Sequence, residues 1–104
     1  MKEEVKVGEA VYVLAPIRVG QMKEMAKLRQ AGMAGQSFLD ENIRCVYYCL
    51  LNAGEKEIQL DGHKEELTFE AVEQLDYPIY MKLLEKAQAL SGFVKGTPGE
   101  LGAA

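Results

Sequence analysis

The stretch from Leu67 to Phe93, LTFEAVEQLDYPIYMKLLEKAQALSGF, constrains the fold more than any other, because it holds two helix starts, one apolar stripe and an abrupt stop. Thr68 is placed to cap a first short helix, with Glu70 and Glu73 near the positive end of its dipole and Phe69, Val72 and Leu75 on one side. Asp76 is placed to cap a second helix whose first turn accepts Pro78, since the N–H that proline lacks has no partner there. Ile79, Leu83, Ala87 and Leu90 then recur at helical spacing, with Tyr80, Leu84 and Ser91 beside them. Lys82, Glu85, Lys86 and Gln88 fill the other side. Gly92 is the stop, and Phe93 is placed to fold back on the last turn.

The rest of the chain supplies partners for that stripe. Met1 to Gly8 alternates charge with valine, and Ala10 to Ala15 predicts a strand that Pro16 ends. From about Gly20, Met22, Met25, Ala26 and Leu28 or Arg29 recur as on a helix that stops at Gly32. A longer helix follows, capped by Ser37 or Asp40, with Leu39, Ile43, Val46 and Leu50 close together on the wheel and Tyr47 to one side. Between Glu55 and Leu67 the Asp61-Gly62 pair suits a tight hairpin, but HKEEL has little strand character. A loop with at most a weak strand is expected there. The expected fold is α+β, mainly α: a short N-terminal strand or hairpin, then about four helices, with the two around Leu39 to Leu51 and Pro78 to Leu90 packed together. Residues 1–95 read as one domain and 96–104, rich in glycine and small residues, as a flexible tail.

Charge and motif content narrow the function. The chain has 104 residues and a net charge of −4 with no run of Lys or Arg, which argues against a nucleic-acid partner. No apolar run is long enough to span a bilayer and the charged N-terminus lacks a signal-peptide centre, so a cytoplasmic location is expected. No Ser-His-Asp order, phosphate-cradling glycine loop or HExxH occurs, so neither enzymatic activity nor a cofactor is expected. Cys45 and Cys49, one helical turn apart, would make three soft ligands with His63, but no fourth ligand is near and the spacing fits neither a zinc ribbon nor a thioredoxin site. Cys49 borders the apolar face, Cys45 lies further round and is expected to be the exposed thiol, and His63 is expected to be solvated. The carboxylates Glu65, Glu66, Glu70, Glu73 and Asp76 fall on a polar face or at helix starts, where solvated or capping roles are expected.

Met22, Met25, Met33, Tyr48, Tyr77 and Met81 are the candidate partner-binding residues. Thioethers and amphipathic rings suit a surface that grips varied apolar helices, although any one of them also serves as core filler. The N-terminal strand, if its edge is open, is a second candidate contact surface.

The order of elements resembles the tail assembly chaperones of long-tailed bacteriophages and prophages. Leu14, Pro16, Val19, Gly20 and Met22 match at the front; Leu67, Thr68, Glu70, Val72, Leu75, Asp76, Tyr80, Leu84 and the Leu90 to Phe93 close match at the back. The similarity runs over about residues 10 to 93 and its motifs are mostly structural. Gln21 stands where the pattern has an aspartate, and Ile79 where a second acidic residue is common. The resemblance implies a cytoplasmic, non-enzymatic protein that holds the helical tape-measure protein soluble while tail-tube subunits gather, and a longer product made by ribosomal frameshifting near the tail. Self-association is compatible with an elongated partner. The alternative is a small adaptor or regulatory helical domain, with a helix-turn-helix built around Asp76; the acidic balance weighs against direct DNA contact.

Overall fold

The computed structural model describes residues 2–31 and 34–92, without the side chains of 28–31 and 34–38. Met33, the Phe93 fold-back and the 96–104 tail lie outside the described residues. The chain runs β1 (Glu3–Val7), β2 (Ala10–Leu14), α1 (Val19–Ala31), α2 (Ala34–Asn52), β3 (Glu57–Leu60), β4 (His63–Glu66), α3 (Phe69–Glu73) and α4 (Tyr77–Leu90). This is an α+β fold, mainly α, with two separate antiparallel hairpins.

The start of α1 is fixed from two directions. The Gln21 side chain reaches back to accept the Arg18 N–H at 2.8 Å, as the third residue of a capping box does. It also forms a reciprocal amide pair with Asn52 at the end of α2, at 3.0 and 2.7 Å, while the same Asn52 amide donates to the Pro16 carbonyl at 2.9 Å. Gln21 therefore ties the beginning of one helix to the end of the next.

Helix α2 differs from expectation at both its start and its face. It begins at Ala34, so neither Ser37 nor Asp40 is its cap. Its buried apolar stripe is Cys45, Val46, Cys49 and Leu50, with Ala53 buried just past its end, while Leu39 is 56% exposed. The reason is that the cysteines act as small apolar residues and let α4 approach closely: Cys49 Sγ lies 4.0 Å from the Ala87 carbonyl and 3.7 Å from Ser91 Oγ. Cys45, expected to be the exposed thiol, is 1% exposed.

The second hairpin is a further correction. β3 and β4 pair from Glu57↔Glu66 to Leu60↔His63 around Asp61-Gly62. Gly62 takes φ +76°, which the second position of such a turn requires and L-residues resist. Only β3 contributes to the core, through Ile58 and Leu60; all four β4 residues are exposed. β4 is thus held by its main-chain ladder, by the Gln59 amide donating to the Leu60 and His63 carbonyls at 2.9 and 3.2 Å, and by the Leu67 N–H donating to Lys56 at 2.9 Å. Its charged side chains suit an open edge, which is why strand propensity failed to reveal it.

The C-terminal block follows the expected plan. Thr68 Oγ1 accepts the Ala71 N–H at 3.0 Å and starts α3; Asp76 occupies the cap of α4, although its side chain makes no capping hydrogen bond. Tyr80, Leu83, Leu84 and Ala87 are the buried face of α4, and Gly92 at φ +85° follows its last turn. The two long helices pack against each other, and α3 and β2 also pack on α2.

These placements separate core from surface. Leu83→Ala, at a fully buried position, is expected to cost about 2–5 kcal/mol. Leu39→Ala is expected to cost less than about 1 kcal/mol. Urea unfolding of the two variants measures the contrast, and equal losses would contradict the assignment of Leu39 to the surface.

Candidate functional site

Small residues bring α2 and α4 together at the Cys49–Ala87–Ser91 level, whereas α3 packs on α2 near the start of α4. A groove of about 250 Å³ opens there. Leu39 and Ile43 of α2 form one wall; Val72, Leu75, Tyr77 and Tyr80 of the α3–α4 corner form the other, with Glu73 on the same side. Tyr77 is 67% exposed, and its ring lies tilted against Tyr80 at 6.1 Å between centroids. The Tyr80 hydroxyl is buried with no hydrogen-bond partner among the described residues, and burial, followed by the nearby Cys45 and Tyr77, pushes its pKa up to about 12. It therefore stays a neutral donor.

A second cleft, of about 470 Å³, lies across Leu75 from the first. The hairpins supply Glu9, Tyr12, Gln59 and Asp61; the corner supplies Asp76 and Ile79. Tyr12 braces it by donating its hydroxyl to the Gln59 carbonyl at 2.8 Å, so the hairpins hold each other without sharing a ladder. Arg44 stiffens the opposite flank: its guanidinium sits 4.2 Å from the Phe69 ring centre and 5.9 Å from that of Tyr48, joining α2 to α3.

The structure divides the candidate partner-binding residues. Met22, Tyr77 and Met81 are exposed, Tyr48 is half-buried beside Tyr47, and Met25 is 2% exposed within the core. Met25 therefore offers no contact surface, because the α1 face that carries it turns inward. Among the described residues of the set, only Tyr77 lines the groove, with Met81 one helical turn beyond it. Sequence reasoning assigned Leu39, Ile43 and Leu75 to packing stripes; Ile43 and Leu75 do pack against the core while also lining the groove, and Leu39 is the one it missed as surface. The signal for Leu39 was its distance along α2 from the cysteines. Glu9, Asp61 and Asp76 come together only through the fold and leave no trace in spacing.

The chain matches no protein-family model, no curated protein and no solved structure. No group of three or more His, Cys, Asp or Glu among the described residues is arranged to hold a metal ion. No helix among them is long and apolar enough to cross a membrane. The five carboxylates Glu65, Glu66, Glu70, Glu73 and Asp76 are exposed.

The thiol pair is enclosed, not poised. Cys45 is held above its ordinary pKa by its hydrogen bond with Cys49 and by burial, and both thiols sit in the core. Native protein is expected to react with Ellman's reagent only as fast as it opens, and unfolded protein to release two equivalents at once. Rapid labelling of Cys45 in the native state would contradict its burial.

His63 is exposed, with Nε2 2.7 Å from Glu65 on the same strand and Nδ1 3.0 Å from the Asp61 carbonyl. The Glu65 hydrogen bond, then the Asp61 carbonyl, raise its pKa above 6.5. Because the folded value is the higher one, the pair's support for the hairpin is fully present below pH 6.5 and lost as pH rises through the folded pKa. Proton NMR titration is expected to show Glu65→Gln returning His63 toward its ordinary value; an unchanged midpoint would remove Glu65 as the cause.

Proposed function

We propose that this protein is a tail assembly chaperone that binds an apolar helical stripe of a phage tape-measure protein and keeps that protein soluble while the tube assembles. The observation that carries the reading is the open groove between Leu39 and Tyr77. Its corner wall is built by Val72, Leu75 and Tyr80, which also belong to the residues that resemble the chaperone family. A helix presenting residues at i, i+3 and i+4 is the natural occupant of an apolar groove between helices. Leu39 and Tyr77 still expose more than half of their surface, and covering both contributes about 2–3 kcal/mol. Contacts of that size are reversible, as a chaperone that must leave requires.

The groove has no nucleophile–base pair among its lining residues, and Tyr80 is neutral at ordinary pH, which supports a binding role over a catalytic one. The chaperone works in the cytoplasm of the bacterial host, and the tail-tube protein is a second, later partner.

Coexpression tests the proposal. The tape-measure protein of the same genome is expected to move from pellet to supernatant when coexpressed with this chain. Leu39→Glu and Tyr77→Glu, both at exposed positions, are expected to abolish most of that gain. A tape-measure protein whose solubility is indifferent to the chain would sink the reading.

A further inference from the structure

Groove and cleft meet at Leu75, which lines both. Among the described residues, every charged side chain lining them is a carboxylate: Glu73 in the groove, and Glu9, Asp61 and Asp76 in the cleft. No ion pair among the described residues involves any of the four. A wholly apolar partner would cover these carboxylates or lie close beside them without compensating their charge, which is costly. A second copy of this chain, itself at net charge −4, would bring like charges together across a two-fold interface.

One kind of occupant meets both demands. We infer that the helix this surface takes is basic and amphipathic: apolar side chains enter the groove between Leu39 and Tyr77, while its Lys or Arg side chains reach Glu73 and, beyond Leu75, the carboxylates of the cleft. The groove floor itself stays apolar: Val72 and Tyr80 line it while being buried, so the charge that a partner meets is carried by the rim. This inference rests on the helix-binding reading above and adds the charge of the partner. Four unpaired carboxylates also act before contact, drawing a cationic helix toward the two clefts.

Three synthetic helices of about 18 residues test it, with one apolar stripe in common and a polar face of lysine, glutamine or glutamate. Binding to the full chain is followed by fluorescence anisotropy. The lysine peptide is expected to bind at least about tenfold more tightly than the glutamine peptide and to weaken as salt rises from about 50 to about 300 mM, with the glutamate peptide weakest. The double variant Glu73→Gln/Asp76→Asn, both at exposed positions where Asp76 makes no capping hydrogen bond, is expected to bring the lysine peptide close to the glutamine one. Glu9→Gln/Asp61→Asn, with its Asn-Gly turn preserved, is the independent second variant, and it is expected to weaken the lysine peptide alone.

Equal affinity for the lysine and glutamine peptides would overturn the charge inference and leave helix binding standing. Failure of all three peptides, with tape-measure solubility also unaffected, would overturn both. Sedimentation showing a dimer that Leu39→Glu dissociates would assign the groove to a second copy and overturn the inference.

Discussion

The close contact of α2 with α4 at Cys45, Cys49 and Ala87 is the constraint on which the rest of the structure depends. All three side chains are small and buried, so the helices meet without a large residue between them. Around that seam the large fully buried side chains, Leu14, Val46, Leu50, Ile58, Val72 and Leu83, arrive from β2, α2, β3, α3 and α4. Enlarging any of the small residues would push the helices apart along their length. The thiols therefore act here through size, and their chemistry is kept out of reach.

The connection between β2 and α1 is the second structural fastening. Ala15 N–H donates to the Cys49 carbonyl at 2.9 Å, Ile17 N–H donates to Ser91 Oγ at 3.1 Å, and the Pro16 carbonyl accepts from Asn52. Three consecutive residues thus bond to the ends of α2 and α4. A non-helical segment that runs so close to the core needs its polar main-chain groups matched, and the helix ends supply a side chain each and the Cys49 carbonyl, which accepts from Ala53 N–H as well. The result fixes the hairpin β1–β2 against the helical seam, with Lys86 of α4 3.3 Å from Glu3 of β1 at the surface.

Most of the architecture was legible because it is local. The stripe of α4, the Thr68 cap and the Gly92 stop follow from spacing and side-chain chemistry within a few residues. The face of α2 was misread at Leu39 because wheel geometry ranks by hydrophobicity, and cysteine ranks as a small buried residue only once its packing partner is known. β4 was missed for a related reason: it buries no side chain and is held chiefly by main-chain pairing with β3 and by the turn, neither of which its side chains announce. The candidate surface was least legible. Tyr77 was singled out as a surface aromatic, but its partner Leu39 lies far away in the sequence, and only the crossing of α2 over the α3–α4 corner joins them.

The same geometry that closes the core holds the groove open. α2 and α4 meet at Cys49 and Ala87, and α3, a short five-residue span, packs on α2 where Leu39 and Tyr77 line the open groove. Arg44, laid over Phe69 at 4.2 Å, braces the wedge from the side. Filling the groove from within would require α3 to move, and Val72 and Ala71 anchor it in the core. Among the described residues, Leu39 and Tyr77 thus remain apolar surface that the folded core does not use.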